Sequence, residues 1–323
     1  MSWQRAEEWL KMSVDTAAIN GTGTLKFGGG GSLRNTIDKR SVGPFNRQVV
    51  SLPPADDSNM PTTNDVVSIL EQFAPSVLAE EWDNVGLLVG DRDSSVRRVM
   101  TCLTVTGATV EEAIERGADL VVSHHPLPFA ALKRITTDSH EGRLLLKLIK
   151  AGVAVYSPHT AFDSATAGIN QHLATAIDLA DISPLVPAAG LDDAELGAGR
   201  VGNIAGGTPL TALVDRLKIA ILVESIRVVG EDDQKVTRVG VACGAGSSLL
   251  DAAIAAGCDC FLTGEASFHT CIAAEAAGLA VVLTGHFASE RFALDVLAEY
   301  LAHQLPDVEV WGSRNERDPL RWA

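Results

Sequence analysis

The chain has 323 residues, 46% of them hydrophobic, and a formal net charge of −15. That acidity excludes a general duplex-binding surface, which needs lysine and arginine to displace counterions from phosphate. Apolar runs stop short of the roughly 20 residues that span a bilayer, and residues 1–30 lack a signal-peptide core, so the sequence reads as a soluble, non-secreted, cytoplasmic protein with neither membrane nor nucleic acid as partner.

Residues 1–59 show no sustained period. They hold Gly28-Gly29-Gly30-Gly31-Ser32 and Pro53-Pro54; no Gly-Lys-Ser/Thr follows the glycines, so a phosphate loop is not indicated. We read 1–59 as a poorly ordered extension and 60–323 as the folded unit, the alternative being a chain that starts at Met60. From there the pattern predicts a helix over 65–80 interrupted near Pro75, strands over 85–89 and 98–105, and a helix over 109–116. A strand over 118–123, a helix over 142–151, a strand over 153–157 and a helix over 167–177 follow. Residues 187–207 read as a loop-rich connection. Short apolar strands alternating with helices predict an α/β layered fold.

The chain then repeats itself. Arg98-Val99 matches Arg238-Val239, Ala113-Ile114 matches Ala253-Ile254, and Gly117 with Asp119 matches Gly257 with Asp259, all at one offset. Ala151-Gly152-Val153-Ala154-Val155 parallels Ala277-Gly278-Leu279-Ala280-Val281. We therefore expect two structurally similar lobes from an internal duplication, at about 60–186 and 187–323, with only a short connection and no inserted domain between them. The repeat sets His125 opposite Glu265, and residues 160–164 opposite 286–290. These positions follow predicted strands, and the carboxyl ends of strands are where open α/β sheets bind ligands.

Five residues stand out at those ends: His124, His125, Asp163, His286 and Glu290. Neighbouring strand side chains point oppositely, so His124 and His125 converge only where the strand breaks, and Pro126 supplies the break. Helical spacing puts His286 and Glu290 on one side. Imidazole and carboxylate suit zinc, iron or manganese, with carboxylates able to bridge two ions. Taken singly each motif is weak; their joint placement after successive strands of a duplicated unit makes them a metal site. His159, His269 and Glu265 are candidates for supporting or acid/base roles, while His140, His172 and His303 read as surface residues. The five cysteines (Cys102, Cys243, Cys258, Cys260, Cys271) fit reduced thiols, and Cys258 and Cys260 fit core packing. Gly244-Ala245-Gly246 lacks the third glycine of a dinucleotide loop, and there is no Gly-x-Ser-x-Gly elbow.

Glu81-Trp82-Asp83-Asn84-Val85-Gly86-Leu87-Leu88-Val89-Gly90, Ser123-His124-His125-Pro126, His159-Thr160 with Asp163, Thr263-Gly264-Glu265, and Gly285-His286 with Glu290 occur in order. This set resembles the NGG-interacting-factor-like family, often labelled GTP cyclohydrolase 1 type 2 homologues. The resemblance implies that His124, His125, Asp163, His286 and Glu290 ligate two divalent cations, in a two-lobed chain assembled as a ring-shaped hexamer. Where the family has a polar residue between Thr160 and Asp163, this chain has Ala161-Phe162. Trp82 reads as a packing residue, with Asp83 and Asn84 available to line a cleft. The expected function is a dinuclear metal-dependent hydrolase acting on a nucleotide-like or phosphorylated small anion. The alternative is a non-enzymatic metal-binding hexamer that scaffolds partners or stores and delivers metal. The family label implies opening of the guanine ring of GTP; nothing in the residues themselves specifies guanine.

Overall fold

Thr62 starts the first helix. In the computed structural model, which describes residues 60–190 and 193–321, its side chain forms a capping box with Asp65 at the head of α1 (Thr63–Phe73). Beyond Pro75 the chain makes only a 3-10 turn, Ser76–Leu78, as expected where the ring blocks helix continuation. The described residues all belong to one compact unit, Asp57–Ala323, and the reading of 1–59 lies outside them.

Two mixed sheets carry the fold. The first joins β1 (Gly86–Val89), β2 (Arg98–Cys102), β3 (Leu120–Ser123), β4 (Ala154–Ser157) and, from near the chain end, β13 (Glu309–Gly312), in the order β1-β4-β3-β2-β13. Only β1 runs antiparallel to its neighbour. The second holds β5 (Ala180–Ser183), β8 (Arg200–Pro209), β9 (Arg227–Val229), β10 (Lys235–Ala242), β11 (Cys260–Thr263) and β12 (Ala280–Leu283), in the order β5-β8-β10-β11-β12-β9. Strands β10, β11 and β12 are parallel, and the pairs flanking them are antiparallel. A small hairpin, β6 (Val186–Pro187) with β7 (Gly197–Ala198), stands apart.

The duplication is visible bond by bond. Asp119 Oδ2 accepts the backbone N–H groups of Arg97 and Arg98 at 2.7 and 2.9 Å; Asp259 Oδ2 accepts those of Thr237 and Arg238 at the same distances. Gly117 and Gly257, at φ +65° and +70°, make the left-handed turns that end α2 (Gly107–Glu115) and α7 (Leu250–Ala255). The repeated Gly-x-Asp is therefore a helix stop followed by an anchor for the start of the neighbouring strand.

Strand alternation sorts side chains into layers. Val99, Val122 and Tyr156 of the first sheet and Val239, Leu262 and Val282 of the second share one central core. Helices α1, α5 (Ile169–Ala176), α6 (Leu210–Ala220) and α9 (His286–Gln304) fill it with Leu70, Leu173, Leu213 and Leu297. On the outer face of the first sheet, Met100, Val121 and Val155 pack against α2 and α3 (His140–Ala151). On that of the second, Phe261 and Val281 pack against α7 and α8 (Phe268–Ala276). Burial on both faces explains why the central strands read as continuous apolar runs.

Two expectations are corrected. The stretch 187–207 contains most of β8, a ten-residue strand hidden by Gly202, Asn203, Gly206 and Gly207, residues of low strand preference. Gly206 and Gly207 adopt φ +75° and +74° where the register with β10 shifts, so they form a bulge. Nor does a cut at 186/187 separate the sheets: β5 lies in the second and β13 in the first. The sequence repeat covers the parallel cores only. The flanking position is filled by parallel β13 beside β2 and by antiparallel β8 beside β10.

Candidate metal centre

Every candidate ligand follows a strand of a parallel core. His124 and His125 continue β3, their amides bonded to Cys102 O and Leu103 O at 3.0 and 2.8 Å. Hydroxyls fix the turn from below: Ser157 Oγ donates to His124 O at 2.6 Å and Ser123 Oγ to His125 O at 2.8 Å. Asp163 lies on α4 (His159–Ser164), directly after β4. His286 opens α9 beyond β12, and Glu290 sits one turn later.

These five side chains meet. Glu290 Oε2 lies 3.2 Å from His125 Nε2 and 3.1 Å from His286 Nε2, which are themselves 3.3 Å apart. His124 Nε2 lies 3.8 Å from Glu290 Oε1 and 3.7 Å from Asp163 Oδ1. Two triads have donor atoms within 4.8 Å of one another: His125, His286 and Glu290, and His124, His125 and His159. His125 belongs to both. His159 thus stands among the ring nitrogens, while Asp163 joins through His124.

A surrounding set of groups aims these rings. Thr104 Oγ1 is 2.8 Å from His125 Nδ1, Glu265 Oε1 is 3.5 Å from His286 Nδ1, and Asp83 Oδ1 is 2.7 Å from His159 Nδ1. Occupying Nδ1 leaves Nε2 free to face the cluster. Glu316 accepts the N–H groups of Leu103 and Thr104 at 2.9 and 2.7 Å and pairs with Arg291 Nε at 2.9 Å, so it holds the shelf beneath His125. Cys243 Sγ donates to Asp163 Oδ1 at 3.1 Å. Gly244 closes the wall, because a Cβ there would run into Glu290 Oε1.

Electrostatics show what this assembly demands. Burial, reinforced by the charge of Glu290, pushes Asp163 up to about 7. Burial opposes ionisation of Glu290 too, yet the imidazoles of His124, His125 and His286 hold it well below the usual carboxylate range. Its hydrogen bond to Glu290 raises His286 to about 9, while burial drives His124 well below normal. His124 Nδ1 is buried without a hydrogen-bond partner. Imidazole nitrogens and carboxylate oxygens converging this closely fit a metal cation, whose charge would let both carboxylates ionise.

The remaining candidates fall elsewhere. His269 is exposed on α8, and His140 and His303 are exposed as expected. His172 is a correction: its Nε2 is sealed from solvent on α5, and burial lowers it to about 4. Trp82 is also a correction, being 62% exposed beside Phe129 rather than packed in the core. Ala161 and Phe162 are wholly buried, and the Phe162 ring stands 6.2 Å from that of His124. Sequence reasoning did not single out Thr104, Cys243, Gly244 as a wall residue, or Glu316. Gly244 alone left a signal, as a glycine just beyond a strand.

The fold and the cluster define an α/β protein of two mixed sheets, with imidazole and carboxylate donors for a metal ion gathered at the strand ends. The chain belongs to the Duf34/NIF3 (NGG1p interacting factor 3) family, which it matches over residues 61–319. It is 34% identical over 262 residues to a GTP cyclohydrolase 1 type 2 homolog of Clostridium acetobutylicum, covering 80% of this chain and 97% of that one. It is 35% identical over 260 residues to the NIF3-like protein 1 of Drosophila melanogaster, covering 79% and 87%. Its fold matches the crystal structure of a Bacillus cereus protein related to NIF3 with a TM-score of 0.76 at 24% identity, covering 82% of this chain and all of that one. No helix among the described residues is long and apolar enough to cross a membrane.

Proposed function

We propose that the protein is a hydrolase of nucleotide-like or phosphorylated small molecules, working with two divalent cations held by His124, His125, Asp163, His286 and Glu290. The observation that carries this reading is Glu290, buried, with one oxygen shared between the Nε2 atoms of His125 and His286 and the other facing His124. Divalent ions, when bound, would supply positive charge for a phosphate and acidify water near neutral pH.

The chain's own groups supply the rest. His159 is the acid/base candidate: Asp83, whose side chain is fully buried, fixes a proton on Nδ1 and leaves Nε2 to take or give one. Although burial resists it, hydrogen bonds from His159 and Thr160 hold Asp83 at about 2, so its charge is present to stabilise an imidazolium. Glu265 turns the His286 ring as Thr104 turns that of His125. The names of the curated relatives place GTP first in the substrate panel. The resemblance also supports a ring-shaped homohexamer in the cytoplasm built from two-lobed subunits, with zinc, iron or manganese as the ion.

The test is elemental analysis of protein purified without chelators, sedimentation for the assembly, and assays on GTP, other nucleotides and phosphodiesters. His125→Ala and Glu290→Ala should each lose metal and turnover together. Loss of metal with unchanged turnover would overturn the hydrolase and leave a metal-binding assembly.

A further inference from the structure

Beside the cluster, two large aromatic side chains stand in solvent. Trp82 is 62% and Phe129 56% exposed, and their rings lie 6.0 Å apart at 38°. A single exposed apolar residue is ordinary. A pair held side by side at the mouth of a polar site is not. Both rings meet His159 edge-on, at 6.0 and 6.2 Å, and His159 in turn lies 5.7 Å from the His125 ring.

One hydrogen-bond chain builds this arrangement. Asp83 Oδ1 binds His159 Nδ1 and also accepts the N–H of Asn84 at 2.7 Å. Its Oδ2 accepts the N–H of Thr160 at 3.1 Å. Asn84 Nδ2 then donates to Pro128 O at 2.7 Å, tying the strand-leading segment to the residue before Phe129. The groups that orient His159 toward the ligand cluster therefore also fix Trp82 and Phe129 next to it. A surface merely left uncovered would not need fastening from both loops to the same acid/base pair.

We propose that Trp82 and Phe129 form a stacking platform for a planar heteroaromatic ring, belonging to a ligand whose anionic end lies at the His124/His125/Glu290 cluster. This rests on reading that cluster as a metal-dependent site for small anions. Aromatic faces accept any such ring, so the platform selects for a nucleobase-like group without choosing among bases. A sugar phosphate that lacks the ring would keep only the anionic contacts.

The experiment compares guanosine 5′-monophosphate with ribose 5-phosphate, by calorimetry on the full-length protein loaded with manganese. Wild type should prefer the nucleotide by about tenfold or more. Trp82→Ala and Phe129→Ala should abolish most of that preference at unchanged metal content, and Trp82→Phe should retain most of it. Equal affinity for the two probes in wild type, or a preference that survives both alanine variants, overturns the platform alone. The platform is likewise overturned if Trp82→Ala splits the assembly in sedimentation while the preference stays, for the pair is then a contact with a second copy. If neither probe binds the metal-loaded protein, the small-anion reading falls and takes the platform with it.

Discussion

Gly244 shows how one backbone atom sets the limits of the site. Its φ of +55° is a left-handed conformation, and a Cβ there would strike Glu290 Oε1 and lie 3.3 Å from His286 Nε2. Alanine at this position costs roughly 1–2 kcal/mol in backbone conformation alone. The larger effect falls on Glu290, which cannot keep its place between the two histidines. Gly244→Ala should therefore lower bound metal severalfold while leaving a folded protein with a modestly lower melting temperature. Metal content equal to that of wild type would show that Glu290 is free to bind from another position.

Among the elements, Arg200 on β8 has the most to hold together. It is 1% exposed, and its guanidinium donates to Gly197 O, Gly199 O and Ala165 O at 2.8, 2.7 and 2.6 Å and to Gln171 Oε1 at 3.0 Å. It thereby fastens the β6–β7 hairpin to the segment between α4 and α5, two residues from Asp163. Arg200→Met fills similar space but strands three carbonyls, and should destabilise by about 3 kcal/mol in a denaturant titration. An unchanged midpoint would mean that water replaces the guanidinium at no cost. Elements of this kind also mark where sequence reading stopped. The central strands were legible because burial on both faces makes them apolar, and the Gly-x-Asp repeat because a helix stop needs glycine and a strand anchor needs a carboxylate. The candidate ligands were legible because they follow successive strands of a repeated unit and stand in a family's ordered motifs. Strand β8 was not, since its glycines serve a bulge and a close approach rather than strand preference. Thr104, Cys243 and Glu316 carry no local pattern: Glu316 reaches the Leu103 amide across 213 residues, a distance no sequence window spans.

At the scale of the molecule, the C-terminal part of the chain joins the two sheets at the site. α9 begins with His286 at the end of β12, receives the hydroxyl of Thr101 from the first sheet on Leu294 O at 2.7 Å, and leads into β13 beside β2. The chain then turns back under Glu112, which is 3% exposed and accepts from Ser313 Oγ and the N–H groups of Arg314 and Asn315. It ends its return with Glu316 beneath His125. Glu316 thus connects Arg291, the neighbour of Glu290 on α9, to the shelf that carries His125. Glu316→Gln preserves size but removes the charge from the Arg291 pair and turns an amide NH2 toward a backbone N–H. The fold should lose about 2 kcal/mol, the scale of a charged hydrogen bond replaced by a poorer one. Metal affinity should fall with it, because the link from Arg291, beside Glu290, to the shelf under His125 is then weakened. A variant that melts lower but binds metal as tightly as wild type would show that the link serves stability only. One that loses affinity by more than its stability loss explains would locate the coupling between the two sheets at this carboxylate.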